Sequence, residues 1–480
     1  MRHAFRPSRR SFLSTIAGAA ASAGFVGGAG ATSPQCPAGA VPPLPTVLPP
    51  NTATPLGQLA SAKNLLFGVQ TDGVDQNYGG NMYDPVYRQL ILREKPAYIA
   101  YGNGFKFGQV CPDPPGPNYQ LKFTQAQYGV TDTWFYANDL TSLFKSSGTR
   151  GRADALIWID NPPAWLAPLP PGQWWLSQQY KDNITYMTAY ISAAMKKMLE
   201  LSAGDPNYFH AVGVVNEPIN PFDLVNGHAT YKSGPFSPPG ISVIDQAIPG
   251  SYIWSALYQA DYYSNYWAQQ LGVAPSKAKH FVNESLADTD QFGPILRPAI
   301  LSLVRKLKAK NVRIDAVGLE SHLQPQMMAD PYHPDWTAFG NFIQALGALG
   351  VEVHITELDV LDYEANCFGA KASAASSDSL TALYYQTFLA KVLSYPAVKS
   401  VCAWDLSDRY TFYRILDESS WFGYDAVPRP KPAAAWPRCN TMPPNAAAIS
   451  CPRSDLYDDR MIAKSARQAM SNAIAGAPSR

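Results

Sequence analysis

The chain has 480 residues, 46% of them hydrophobic and 16% charged, which supplies a large core and excludes a disordered segment or a coiled coil. Its 38 Lys and Arg balance 37 Asp and Glu. There is no basic excess of the kind that nucleic acid or an anionic membrane surface demands, so no nucleic-acid partner is expected.

In chain order, Arg2, Arg6, Arg9 and Arg10 precede SFLSTIAGAAASAGFVGGAGA, a weakly apolar, Ala- and Gly-rich stretch that reads as an export signal over residues 1–31, cleaved after Ala31. The run SRRSFLS at 8–14 resembles a twin-arginine signal, with an ordinary secretory signal as the alternative. Gly and Ser interrupt the stretch too often for a membrane anchor. The expectation is therefore a periplasmic or extracellular protein with no membrane span once mature. Removing the four arginines from the 38 basic residues leaves 34 against 37 acids, a mildly acidic chain. Residues 32–60, rich in Pro, Ala and Thr, read as a linker or a surface-hugging arm.

From residue 61 to about 440, short apolar runs alternate with amphipathic stretches. The predicted strands are LLFGVQ (65–70), AYIAYG (97–102), ALIWI (155–159), HAVGVVN (210–216), HFVNE (280–284), IDAVGLE (314–320), VEVHITE (351–357) and VCAWDL (401–406). Eight strand-helix units predict an α/β chain folded as a single (β/α)8 TIM barrel, with a doubly wound sheet as the alternative. No GxGxxG follows the first strand and no GxxxxGKS/T occurs, which removes support from nucleotide-binding versions of that alternative. The segments 107–120 and 218–250, rich in Gly, Pro and Asn, read as irregular loops at the catalytic end of a barrel. An Ala-rich, partly helical tail at 441–480 has no assigned role.

Six cysteines follow the signal. Cys439 and Cys451, close in sequence across a turn with Pro and Asn, form the expected disulfide, while Cys402 lies in an apolar strand and reads as a buried thiol. No CxxC or HxxxH occurs among the scattered His and Cys, so neither a metal nor another cofactor is expected.

Barrel enzymes carry their reacting groups at the C-terminal ends of strands. Two strands end in glutamate: AVGVVNEP places Asn216 and Glu217 after the fourth strand, and VEVHITELD places Glu357 after the seventh. A lone strand-end Glu is ordinarily a salt-bridge partner. Two of them on opposite walls, without a metal or nucleotide motif, suit cleavage of a glycosidic bond, where one carboxyl protonates the leaving oxygen and the other attacks or activates water. The 12% aromatic content is compatible with stacking on sugars, although most such rings pack in cores.

These motifs resemble glycoside hydrolase family 10, the retaining endo-β-1,4-xylanases. VVNEP (214–218) resembles the family's acid/base motif and ITELDV (355–360) its nucleophile motif. IDAVGLESHL (314–323), WDLSDRYTF (404–412), RPKPA (429–433) and PAWL (163–166) match further family segments in order, covering residues 64 to about 436. The resemblance implies Glu217 as general acid/base and Glu357 as the nucleophile that forms a covalent glycosyl-enzyme. Asn216 would bond the sugar 2-hydroxyl, and His322 and Asp359 would support Glu357. Trp404 would wall the cleft, and Asn103, Lys106 and Glu320 would line it. It implies a xylan-like polysaccharide substrate, a monomer, and two carboxyls about 5 to 5.5 Å apart, with the Glu217 pKa raised by the nearby negative charge.

The match also departs from the family. The second-strand ENEMKW becomes GNGFKF (102–107), keeping Asn103 and Lys106 but placing Gly102 and Gly104 at the acidic positions. Trp158 is followed by Ile159 where the family has His, and Glu320 stands where it commonly has Gln. NDYN becomes NESL (283–286), and Asp405 replaces a Gly. These changes spare both glutamates and alter the recognition surface. Two alternatives therefore stay open: a hydrolase of another β-linked polysaccharide, such as decorated xylan or β-glucan, and a non-catalytic carbohydrate-binding barrel.

Overall fold

The structure, a computed structural model, describes residues 43, 45–71, 81–169, 177–244, 252–323, 334–360, 374–411 and 453–480. Strands and helices alternate. The first half comprises β1 (Leu66–Thr71), α1 (Pro85–Glu94), β2 (Tyr98–Tyr101), α2 (Phe135–Phe144), β3 (Arg150–Ala153), α3 (Gln178–Ser202), β4 (Phe209–Asn216) and α4 (Tyr252–Leu271). The second comprises β5 (Lys279–Glu284), α5 (Gly293–Ala309), β6 (Ala316–Leu319), α6 (Trp336–Ala348), β7 (Glu352–Val360), α7 (Ala374–Val392), β8 (Val398–Ala403) and α8 (Ser465–Gly476). Every strand pairs in parallel with the next, and β8 pairs with β1, so the sheet closes into the expected TIM barrel.

Local chemistry sets the helix starts. The Asp84 carboxylate accepts from the Val86 amide at 2.8 Å ahead of Pro85 in the first turn of α1. Ser177 and Asp335 cap α3 and α6 in the same way. The strands are covered on both faces, which is why β4 is an uninterrupted buried run from Phe209 to Asn216.

The third strand lies elsewhere than the sequence suggests. The ladder strand is Arg150–Ala153, and only Ile157–Trp158 of the predicted 155–159 pairs, with Val215 and Asn216 at the far end of β4. Two arginines in TRGRAD look like a solvated turn, yet Arg152 is fully buried inside the barrel. There it donates to Asp154 Oδ2 at 2.6 Å and to the Thr356 carbonyl of β7 at 2.9 Å, and it lies over the Tyr98 and Phe281 rings. A paired, hydrogen-bonded charge can occupy a lumen that an unpaired one could not. Opposite it, Gly68 is required: a Cβ there would lie 2.2 Å from the Tyr98 ring.

The segment 218–250 is not wholly irregular. Ile219–Val225 and His228–Tyr231 form an antiparallel hairpin. Asn226 and Gly227 supply the positive φ values, 53° and 77°, that a tight turn of the primed type needs. The end of the proline-rich stretch hugs the barrel, with Leu56–Ser61 forming a short helix. In the tail, α8 packs on α7, and Arg467 donates to the buried Glu94 carboxylate at the end of α1. The Cys402 thiol is free and buried, as is that of Cys111. Cys439, Cys451 and residues 1–31 lie outside the described residues, and no described helix is long and apolar enough to cross a membrane.

Candidate active site

The backbone ladder brings the motif residues to one rim. The Glu217 amide donates to the Asn283 carbonyl at 2.8 Å, Glu320 to Glu284 at 3.0 Å, Glu357 to Glu320 at 2.9 Å and Trp404 to Leu358 at 3.1 Å. Asn216 and Glu217, Glu320 and His322, Glu357 and Asp359, and Trp404 are thus neighbours across the ends of β4 to β8. Glu217 itself has a φ of 44°, in the left-handed region, where the chain turns sharply off β4.

Asn283 ties the group together, a role the sequence reading did not give it. Its Nδ2 lies 2.9 Å from Asn216 Oδ1, 2.9 Å from Glu357 Oε1 and 3.1 Å from Glu320 Oε1. Its Oδ1 accepts from the Thr356 hydroxyl at 2.7 Å, which sets the amide orientation. With Asn216 Oδ1 engaged, the Asn216 amide NH2 is the end left to donate. Gly318 makes room, because a Cβ there would stand 2.2 Å from Asn283 Oδ1.

His322 bridges two carboxylates, with Nδ1 2.9 Å from Asp359 and Nε2 3.2 Å from Glu357. Burial opposes a charge on this ring, but Asp359 and Glu357 outweigh it and hold its pKa well above the ordinary value. The two carboxylates thus favour the charged form of His322. The donor atoms of Glu320, His322 and Glu357 lie within 4.8 Å of one another. Hydrogen bonding holds them in place, with both ring nitrogens engaged.

Glu217 has a partner that the sequence reading missed. Lys232, just past the hairpin, donates from Nζ to Glu217 Oε2 at 2.7 Å and to Asp160 Oδ2 at 2.5 Å. Trp158 Nε1 donates to the same Glu217 oxygen at 3.2 Å. The expectation of a raised Glu217 pKa is corrected: burial pushes it up, but Lys232, Trp158 and Glu320 overcome that and bring it down to about 2. Burial instead raises Glu320 well above the carboxylate range, helped by the charges of Glu217 and Glu357. Lys232 lies 15 positions from Glu217, too far for any local pattern to pair them. Only the Asn226-Gly227 turn signals that the chain returns.

The remaining site residues fall around this centre. Lys106 places its ammonium 4.9 Å from the Trp158 ring, and Asn103 occupies the turn between β2 and Lys106. Trp404 meets His322 edge to face at 6.1 Å. Ile159 is buried, facing Gly234 of the loop after the hairpin, and offers the cleft no polar atom. Asp405 has a φ of 71°, which explains how a position that is Gly in the family tolerates Asp: short polar side chains enter the left-handed region most readily. The arrangement can supply a proton, a buried nucleophilic carboxylate and a hydrogen-bond donor at one rim.

The model of the glycosyl hydrolase family 10 matches residues 57–437. Endo-1,4-beta-xylanase A of Phanerodontia chrysosporium is 24% identical over 361 residues, 74% of this chain and 69% of that protein. A thermostable celloxylanase of Thermoclostridium stercorarium is 24% identical over 310 residues, 62% of this chain and 71% of that protein. Among solved structures, xylanase B from Clostridium stercorarium F9 aligns with a TM-score of 0.58 at 18% identity, over 88% of this chain and 100% of that one. Penicillium canescens endo-1,4-beta-xylanase XylE aligns at 0.57 and 18%, over 89% and 99%. The two structures support the fold.

Proposed function

Because this chain belongs to glycosyl hydrolase family 10, we propose that it is a retaining endo-1,4-β-xylanase that hydrolyses internal β-1,4-xylosidic bonds. The observation that carries this reading is the pair of strand-end carboxylates, Glu217 and Glu357, on one rim with the Asn283 amide between their strands. Glu357 attacks the anomeric carbon while Glu217 hands a proton to the leaving oxygen. The resulting ester is then hydrolysed by a water that Glu217 deprotonates. His322, fixed by Asp359, holds Glu357 in orientation. Asn216 donates its amide NH2 to the sugar 2-hydroxyl, a contact that tightens in the transition state. Lys106, Trp158 and Trp404 line the cleft, with Asn103 and Glu320 beside them.

A second substrate, β-1,4-glucan or a decorated xylan, is favoured by Ile159, which removes a polar contact beside the bond to be cleaved. The name celloxylanase of one relative accords with this reading. A non-catalytic barrel is disfavoured by the intact charges around Glu357. We further read residues 1–31 as a twin-arginine-type export signal, on Arg9 and Arg10 and the weakly apolar stretch after them, 61–440 as the catalytic domain, and the mature protein as a monomer outside the cytoplasm.

The test is reducing-sugar release from linear xylan, arabinoxylan, glucuronoxylan and β-1,4-glucan. The unmodified protein should act on a xylan, and Glu357→Ala should abolish that activity. Glu217→Gln should lower it about 10²- to 10⁴-fold, the usual contribution of a general acid. Binding without hydrolysis of any polymer would overturn the reading.

A further inference from the structure

One turn and the base of one hairpin close around Glu217. Trp158, Ile159 and Asp160 belong to the turn after Ile157–Trp158, closed by the Asn161 amide on the Trp158 carbonyl at 3.1 Å. Trp158 Nε1 donates to Glu217 Oε2 at 3.2 Å, while Asp160 accepts from Lys232 Nζ, which itself donates to Glu217 Oε2 at 2.7 Å. Ile159, between them, is buried against Gly234, two residues past Lys232, where a Cβ would stand 2.7 Å from Ile159 Cγ1. On the other side the Lys232 amide donates to the Pro218 carbonyl at 2.9 Å. The ammonium is thus held from two sides beside Glu217, at side-chain exposures of 19% for Lys232 and 17% for Glu217.

Both donors reach the same carboxylate oxygen. An oxygen that accepts two N–H groups, one of them cationic, is the poorer seat for a proton, so the proton of the acid form sits on Oε1. Taking Glu217 as the acid/base, we infer that Lys232 is a positioning residue of the hydrolysis: clamped by Asp160 and the hairpin base, it pins Glu217 Oε2 and turns Oε1 to the leaving oxygen.

The chemistry follows from the pinning. The Oε1–H bond breaks as the glycosidic oxygen takes the proton. That oxygen keeps the electron pair of the C1–O bond as Glu357 bonds to C1. The carboxylate left at Glu217 already faces an ammonium, so its charge is met without reorganisation. In the second half, water attacks C1 and gives its proton to the same Oε1, and Glu357 leaves as a carboxylate. The ammonium also makes Glu217 a stronger acid: burial raises its pKa, and Lys232 with Trp158 outweighs burial. The other charged groups facing the pair are Asp160, Glu284 at the end of β5 and Glu320 beyond β6.

Lys232→Met keeps the stem and removes the charge and the donor. On xylan, kcat should fall about 10- to 10²-fold with KM changed little, as when a reacting group is misplaced by about an ångström, and the alkaline limb of kcat/KM should move to higher pH. With a dinitrophenyl xylobioside, whose leaving group departs without a proton, glycosyl-enzyme formation should stay within a few-fold of the unmodified rate. A residue that only supported the fold would slow both substrates alike. Asp160→Ala removes the other anchor at a side chain 39% exposed and should show the same leaving-group pattern, less strongly. Equal losses on both substrates, or an unmoved limb with unchanged kcat in Lys232→Met, overturn the clamp. If Lys232→Met does not fold, Asp160→Ala decides alone by the same leaving-group criterion. Glu217→Gln and Glu357→Ala are run alongside: if both still hydrolyse xylan, the functional reading falls with the clamp, whereas their inactivity beside an unaffected Lys232→Met removes only the clamp.

Discussion

Gly318 shows how narrowly single residues are constrained at this site. It lies in β6, and the space a side chain would fill is taken by the Asn283 amide, with Phe281 and Thr356 Cγ2 at 3.0 Å on either side. Gly318→Ala must push Asn283 off its Thr356 hydroxyl and so unfix Asn216, Glu320 and Glu357 together. Overpacking of this kind costs about 1–3 kcal/mol, and misplacing reacting groups by an ångström costs about 10² in rate. The expected outcome is a lowered melting temperature with kcat on xylan reduced more than KM is changed. Full activity would show that Asn283 does not position the carboxylates. Glu217 carries the same lesson in electrostatic form: burial alone would raise its pKa, and here the Lys232 ammonium at 2.7 Å, aided by the Trp158 indole, reverses the sign.

Among elements, the hairpin Ile219–Val225 with His228–Tyr231 stands out because its base, not its tip, serves the site. The Lys232 amide donates to the Pro218 carbonyl at 2.9 Å, so the residue beside Glu217 and the residue that pairs with it are clasped by the hairpin's own hydrogen bonding. Gly227, at φ 77° with open space around it, is needed for backbone conformation alone. Gly227→Val forces a branched residue into the left-handed region at about 1–3 kcal/mol, loosening the turn that returns the chain. The alkaline limb of kcat/KM should then move to higher pH, because Glu217 loses part of the ammonium that lowers its pKa. A limb that stays in place would mean that Lys232 is held by Asp160 without help from the hairpin.

At the scale of the molecule, the barrel is closed by covalently distant pieces. The buried Glu94 carboxylate accepts from the Leu56 amide at 2.8 Å, from the Tyr457 hydroxyl, and from Arg467 at 2.9 and 3.1 Å. The helix before β1, the end of α1 and the helix after β8 therefore meet at one ion pair. Removing one partner of a buried pair leaves the other charge unpaired, which costs about 3–5 kcal/mol. Arg467→Ala should lower the urea midpoint accordingly while leaving kcat on xylan unchanged in the folded protein, because α8 sits away from Glu217 and Glu357. A loss of activity without loss of stability would place the tail in the site.

The strand and helix alternation was legible because parallel strands covered on both faces must be apolar runs, as in HAVGVVN and VEVHITE. The two glutamates were legible because barrel chemistry sits where such runs end. Arg152 defeated that logic, since a strand whose inward residue is a paired cation has no apolar signature, and the third strand was misplaced for that reason. Likewise, NESL at 283–286 showed a departure from family pattern without showing that Asn283 joins three strands. The sequence by itself determined the architecture and the family and marked the two strand-end glutamates as candidates, because periodicity and short motifs are local properties. Which cation faces which carboxylate was decided only by tertiary structure. Protonation depends on burial and on the nearest charge, and Lys232 reaches Glu217 only after the chain has folded back through the hairpin.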